Sequence, residues 1–377
     1  MFSDNYQDVL NECREALKTN RNDFSAWLNL ADVLLKKKSP ILYPICLTCC
    51  EKSLQLLPDN PDAYIKKGIV LAKLGRKEET ISALQRAQQL DPGSVYARFL
   101  HLVNLCPIVY KKEEEISSAR TAYVKLLTEL SDSIDLHDSE SILRAIKAVG
   151  EYPFYLCYQG FNDKELQKKY GKLICKIQAA RYPQWSLPIP SQHISGEPIR
   201  VGIVSGFFRY HSVWKVIIRG WLGALDKKRF ALYGYSTGYS SDAYTSVARN
   251  SFIRFVENDF SIESLCRNIL EDRIDVLIYP EIGMNRMTIR LSALRLASVQ
   301  CCSHGHPTTS GLPTIDYFLS SDLMEPEEGA EHYTETLIRL PNLGFHYLPS
   351  DMDLLLSGHD IPGIKKDVIP LASINFC

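Results

Sequence analysis

The chain has 377 residues, 45% of them hydrophobic and 23% charged, with a formal net charge of -1. That balance is ordinary globular composition. It gives no electrostatic ground for a nucleic acid or an anionic membrane as partner, and the length suits two or three separate cores. The N-terminal run MFSDNYQDVLNECREALK has no basic start followed by an apolar stretch, and no segment approaches ~18 uninterrupted apolar residues, so a soluble, cytoplasmic protein is expected. The 11 cysteines are scattered through helical and strand patterns. Cys46 and Cys49 form a lone CxxC inside an amphipathic helix, which reads as small buried hydrophobes kept reduced rather than as a metal or redox pair.

In chain order, the first strong pattern is PDAYIKKGIVLAKLGRKEETISALQRAQQLDPGS, residues 61 to 94. It reads as one tetratricopeptide repeat, with Tyr64, Gly68 and Leu71 on a first helix, Leu84 and Ala87 on a second, and Pro92 at the exit. The preceding segment repeats it. Trp27 and Tyr64 are 37 apart, as are Leu34 and Leu71, whereas Pro58 and Pro92 are 34 apart, which places a three-residue insertion between Lys36 and Pro44. Ala16 and the NRND after it match the end of a still earlier repeat. Such hairpins cover their apolar faces only by stacking into a superhelix, whose groove holds an extended peptide or serves as plain scaffold.

From Pro107 to Ile199 the pattern stays helical without the repeat register, and the charge run Lys111 to Glu115 fits a solvated helix start. The aromatic stretch EYPFYLCYQG leads into a long helix ended by Pro183, and the prolines and glycine between Pro188 and Pro198 mark a domain boundary. Beyond it the period changes. RVGIVS, FALYGYS, FIRFV, IDVLIYP, Val299 to Cys302, Asp316 to Ser320 and Thr336 to Leu340 read as strands, with helices between most of them. That alternation predicts a parallel sheet covered on both faces, a Rossmann-like lobe, with its ligand where the loops after Ser205, Tyr279 and Cys302 converge.

Two of those loops carry candidate chemistry. Ser205-Gly206-Phe207-Phe208-Arg209-Tyr210-His211 ends at a helix start, where backbone N–H groups attract anions and an imidazole can reach a sugar or hydroxyl; a plain surface histidine is the alternative. The second loop, Gly305-His306-Pro307-Thr308-Thr309-Ser310-Gly311, combines glycines for close backbone approach, a proline to fix the turn and hydroxyls for sugar or phosphate oxygens. His304 and His306 have no third ligand at matching spacing, so no metal is expected. The acids Glu325, Glu327, Glu328, Glu331 and Glu335 read as a solvated turn and short helix rather than a catalytic carboxylate pair. Gly202 and Gly206 do not complete a dinucleotide fingerprint.

Together, RVGIVSGFFRYHSVWK, IDVLIYPEIGM, QCCSHGHPTTSGLPTIDYFLSSDLMEP and HYTETLIRLPNL resemble the SPINDLY-like and O-GlcNAc transferase-like glycosyltransferases, in which tetratricopeptide repeats precede a GT-B catalytic region. The resemblance implies an α plus α/β chain: a repeat array over 1–106, a helical connector and linker over 107–197, the N-terminal Rossmann-like lobe of a GT-B enzyme over 198–349, and a short tail over 350–377. It implies inverting transfer of a GlcNAc-type or related sugar from a nucleotide sugar, UDP-linked, to protein hydroxyls, with no cofactor beyond that donor. The protein acceptor would lie in the repeat groove. By motif, His211 corresponds to the family's histidine beside the reacting sugar, and Gly305, His306, Pro307, Thr308, Thr309, Ser310 and Gly311 to its sugar- and acceptor-side loop. His304 departs from the family, where a bulky aromatic is expected. The family's second lobe carries most donor contacts, so the expectation is a truncated or split enzyme, impaired alone and partnered by a separately encoded lobe. The competing expectation is a non-enzymatic repeat protein that binds a partner.

Overall fold

The computed structural model describes residues 11–344 other than 12, 13, 16 and 192. Ala16, read as the end of an earlier repeat, and the expected tail 350–377 lie outside them. The described repeats are antiparallel helix pairs: α1 Phe24–Lys36 with α2 Tyr43–Leu56, then α3 Pro61–Lys73 with α4 Lys77–Leu90, followed by α5 Val95–Asn104. Their boundaries follow local chemistry. Asp23 accepts from the Ser25 and Ala26 amides to cap α1, and Asn60 caps α3 immediately before Pro61. Gly68 is required because a Cβ there would come within 2.8 Å of the Leu84 side chain, so α3 and α4 pack with no atom between. The insertion is a short 3-10 turn, Pro40–Leu42, entered through Lys38 at φ 51°. Cys46, Cys49 and Cys50 are buried among Ala31, Val70, Leu71 and Ala83, and burial pushes the Cys50 thiol up to about 12, which keeps it protonated.

The connector is α6 Glu113–Ser133, α7 Ser139–Ile146, a 3-10 segment Phe154–Gln159, and α8 Lys164–Arg181. It does not stand apart from the lobe that follows. Phe99, Tyr123, Leu127, Tyr170 and Ile174 share one continuous core with Leu277, Tyr279, Cys302 and Phe318. Arg290 Nε donates to the Val149 carbonyl at 2.8 Å, and Gln178 donates to the Arg290 carbonyl at 2.5 Å, so polar ties reinforce the apolar packing.

The second half is a seven-stranded, all-parallel sheet in the order β3-β2-β1-β4-β5-β6-β7. The strands are β1 Ile199–Ser205, β2 Phe230–Ser236, β3 Arg254–Val256, β4 Val276–Tyr279, β5 Val299–Ser303, β6 Tyr317–Ser321 and β7 Thr336–Leu340. This is the α plus α/β arrangement read from the sequence: a helical repeat array followed by a Rossmann-like lobe. Alternation along β1 serves both layers. Val201 and Ile203 join one core with Trp214, Ile218, Leu222 and Phe252, while Val204 joins the other with Leu265, Ile269 and the connector. Helices α9 Arg219–Ala224 and α10 Ala243–Ser251 cover the first face; α11 Ile262–Glu271, α12 Arg286–Ser292 and α8 cover the second. The helix expected from Ser212 instead opens with a π-helical stretch, Val213–Ile218, before α9. Such wide turns occur mostly as single insertions in helices and concentrate at functional sites.

The tightest joint between the two halves is Gly171 on α8 against Gly311. A Cβ on Gly171 would overlap the Gly311 carbonyl, and one on Gly311 would overlap the Gln167 carbonyl; Gly311 also has φ +70°. Gly311→Ala is therefore expected to lower stability by about 3 kcal/mol or more, because backbone must move on both sides. Gly223→Ala on α9 is the control. Nothing lies within 4 Å of its added methyl, so urea denaturation should find it neutral or up to ~1 kcal/mol more stable.

Candidate active site

Between β1 and β4 the strand order reverses, and the loops leaving the carboxyl ends of β1, β2, β4 and β5 meet there. The Gly206 amide donates to Glu281 Oε1 at 2.9 Å, joining the β1 and β4 loops. The Gly305 amide donates to the Pro280 carbonyl at 2.9 Å, joining β5 to β4. Asn285, the cap of α12, lies against Gly206 and directs its amide toward the Thr237 carbonyl at 3.5 Å, which brings in the β2 loop. The convergence read from Ser205, Tyr279 and Cys302 is thus present, with the β2 loop as a fourth member.

His211 ends the β1 loop. Its Nδ1 accepts the Val213 amide at 3.2 Å, and its ring stacks on Phe207 with centroids 4.0 Å apart. Burial, with the nearby Arg209 charge, pushes its pKa down to about 4, so the ring is neutral near pH 7. With Nδ1 used as an acceptor, the proton sits on Nε2. The side chain is therefore built to donate a hydrogen bond rather than to accept a proton. Asp242 steadies the same loop: it accepts the Tyr210 amide at 2.7 Å while capping α10, and Thr245 donates to the Phe208 carbonyl at 2.7 Å.

The Gly305 to Gly311 loop divides into two groups. Gly305, Pro307 and Thr308 are at least partly exposed, whereas His306, Thr309, Ser310 and Gly311 are buried. His306 Nε2 donates to the Phe154 carbonyl at 3.3 Å, and its Nδ1 accepts from Thr308 at 3.3 Å. The rings of Tyr152 and Phe154 meet it edge-on at 5.2 and 5.0 Å. Burial pushes its pKa down to about 4, with the Phe154 bond opposing. His306 thus ties the loop to the connector. Thr309 donates to Glu335 Oε2 at 2.5 Å, the Ser310 amide donates to Glu335 Oε1 at 2.9 Å, and the Ser310 hydroxyl bonds that same oxygen.

Two carboxylates emerge that the sequence reading did not single out. Glu335, grouped above with a solvated acidic turn, is 6% exposed and is the anchor of Thr309 and Ser310. Its place beside the β7 start was the available signal, since an acid flanking a strand needs a partner if it turns inward. Glu281 is fully buried two residues after the switch strand β4; one oxygen takes the Gly206 amide and the other has no hydrogen-bond partner among the described residues. Burial pushes its pKa up to about 8, against hydrogen bonds from the Gly206 amide and the Ser205 side chain. An acid within two residues of the end of a buried strand at the crevice was legible in IYPEIGM, and its chemistry was not.

Residues 156–352, 197 of the 377, match the model of glycosyl transferase family 41. The chain belongs to that family. The match begins in the connector, inside the 3-10 segment Phe154–Gln159, which accords with the core that α8 shares with the sheet. Among curated proteins, the chain is 28% identical over 202 residues to a probable UDP-N-acetylglucosamine–peptide N-acetylglucosaminyltransferase SPINDLY of Oryza sativa subsp. japonica, covering 51% of this chain and 21% of that one. It is 29% identical over 161 residues to a UDP-glucose:protein N-β-glucosyltransferase of Actinobacillus pleuropneumoniae serotype 5b, covering 41% and 25%. The chain thus spans about a fifth to a quarter of the length of these relatives. Among solved structures, an O-GlcNAc transferase mutant of Thermobaculum terrenum superposes over 90% of this chain and 58% of its own, with TM-score 0.53 and 21% identity, a likeness of fold.

The buried Glu281 makes a prediction about pH. Its folded pKa is raised from 4.5 to about 8, so the folded protein holds a proton that the unfolded chain releases. The stability this contributes is full below pH 4.5 and is lost as pH rises toward 8. Glu281→Gln keeps an acceptor for Gly206 without the titration. Relative to wild type, it should therefore gain stability between pH 5 and 8, by a few kcal/mol across the window at about 1.4 kcal/mol per fully shifted unit. Parallel thermal-melt profiles for the two proteins would contradict this.

Proposed function

We propose that this chain is part of a protein glycosyltransferase that moves a GlcNAc-type or related hexose, with inversion, from a UDP-linked donor to a protein hydroxyl. The observation that carries the reading is His211: a neutral imidazole at the carboxyl edge of the switch strand in a family 41 lobe, held by the Val213 amide so that Nε2–H is free to donate. In inverting transfer the acceptor oxygen attacks the anomeric carbon as the diphosphate leaves, and oriented donors along the path lower the barrier. His211 would orient the acceptor or the sugar through Nε2–H. A role as general base fits poorly, because the depressed pKa makes the ring a weak proton acceptor.

In the same reading the Gly305 to Gly311 loop forms the facing wall. Gly305, Pro307 and Thr308 would meet the ligand, while His306, Thr309, Ser310 and Gly311 would fix the wall from behind through Phe154, Glu335 and α8. The repeat array over 1–106 would deliver the protein acceptor, and the lobe over 198–349 would carry the acceptor and sugar side of the reaction. The names borne by the relatives support both UDP-GlcNAc and UDP-glucose as donors to try.

The test is sugar transfer from radiolabelled UDP-GlcNAc and UDP-glucose to protein substrates, comparing wild type with His211→Ala. The variant is expected to lose about 100-fold or more in kcat/KM while unfolding within about 1 kcal/mol of wild type. Transfer that survives His211→Ala undiminished would remove the assigned role.

A further inference from the structure

On the face of the sheet opposite the connector, the helices leave an open cleft of about 330 Å³ between α9, the end of α10 and the turn that precedes β2. Leu222 of α9 and Val247 of α10 give it apolar sides, and the fully buried Trp214 borders it from the core. Gly223 keeps it open, since nothing lies within 4 Å of where its Cβ would stand. The volume falls at the lower end of the range for small-molecule sites.

Two cations line this cleft, Arg219 at the start of α9 and Lys227 in the turn, and neither has a carboxylate partner among the described residues. Asp226, the neighbour of Lys227 in sequence, accepts the Lys228 amide at 2.9 Å and does not line the cleft. The Ser251 hydroxyl, at the end of α10, donates to the Val247 carbonyl at 2.8 Å. The indole N–H of Trp214 has no hydrogen-bond partner among the described residues. The lining therefore carries two unmatched positive charges and an unmet donor, with no negative charge against them. Trp214 lies inside the π-helical stretch Val213–Ile218 and Arg219 follows it directly, so the cleft is built on a wide turn of the kind that concentrates at functional sites. The same stretch supplies the Val213 amide to His211.

We infer that this cleft binds a small organic phosphomonoester, with Arg219 and Lys227 pairing the phosphate and Leu222 and Val247 covering part of the carbon skeleton. Charge and shape together carry the choice. A phosphomonoester bears close to two negative charges near pH 7, which matches the two cations, whereas a single carboxylate leaves one unmatched. The guanidinium fork suits phosphate oxygens, and the apolar sides give a purchase that inorganic phosphate cannot use. The site stands on its own lining and does not rest on the transferase reading.

Calorimetric titration of the full chain tests it, comparing glucose 6-phosphate with glucose and adenosine 5′-monophosphate with adenosine. At least one phosphate should bind roughly tenfold or more tightly than its parent and weaken as salt is raised, and the pair that responds tells a sugar skeleton from a nucleoside. Arg219→Gln should lose roughly five- to tenfold in affinity. Gly223→Glu sets an acid one turn from Arg219 in open space and should cost about as much, while Gly223→Ala binds as wild type does. No binding of either phosphate, parents that bind as well as their phosphates, or a Gly223→Glu affinity equal to wild type overturns the inference. So does loss of phosphate binding in His211→Ala, which would put the ligand in the crevice instead.

Discussion

The approach of two backbones at Gly171 and Gly311 is the constraint on which the lobe's working edge depends. Neither position has room for a Cβ, and the residues after Gly311 lead through Leu312 and Ile315 into β6. Because the contact is backbone on backbone, it admits no rotamer adjustment. It sets where the β5 loop ends, and therefore where Gly305, Pro307 and Thr308 are presented. His306 then fixes the near side of the same loop to Phe154, so the connector grips it at two points. The helices between the repeats and the sheet are thus part of the wall of the crevice as well as a spacer.

Two buried carboxylates hold opposite sides of that crevice in physically different ways. Glu335 is surrounded by donors: the Thr309 hydroxyl, and the amide and hydroxyl of Ser310. Such a carboxylate is satisfied and rigid, and losing it would strand three donors in a dry interior. Glu281 has one oxygen with no partner among the described residues, and burial raises its pKa against the Gly206 and Ser205 hydrogen bonds. A neutral acid at the switch point limits negative charge in the crevice. The loop that bears His211 is therefore anchored by a group whose own charge depends on pH.

The framework of the fold was legible because its signals are periodic. The 37- and 34-residue spacings placed the repeat helices and an insertion between Lys36 and Pro44, where the turn Pro40–Leu42 lies, and β7 has the bounds read from the sequence, Thr336 to Leu340. What periodicity does not carry is which loop residues face inward. Thr309 and Ser310 look in sequence like free hydroxyls for a ligand, yet both meet Glu335, a residue 25 or 26 positions away that reads as part of an acidic surface turn. The connector's docking was hidden for the same reason, since helix periodicity gives an apolar face without naming its partner. The π-helical start after His211 has no sequence marker that we can identify.

The tautomer of His211 links these observations to chemistry. Had Nδ1 faced solvent, the ring could have served as either donor or acceptor. The Val213 amide takes that choice away, and Val213 opens the π-helical stretch that also buries Trp214 in the core beneath β1. Core packing on one face of the sheet is in this way coupled to the hydrogen-bonding sense of a side chain at its edge. Asp242 and Glu281 then hold the intervening loop at Tyr210 and Gly206, one from the β2 side and one from the β4 side. A single imidazole N–H is positioned by three loops and a helix start, the preorganisation that lets a donor act without first being ordered by its ligand.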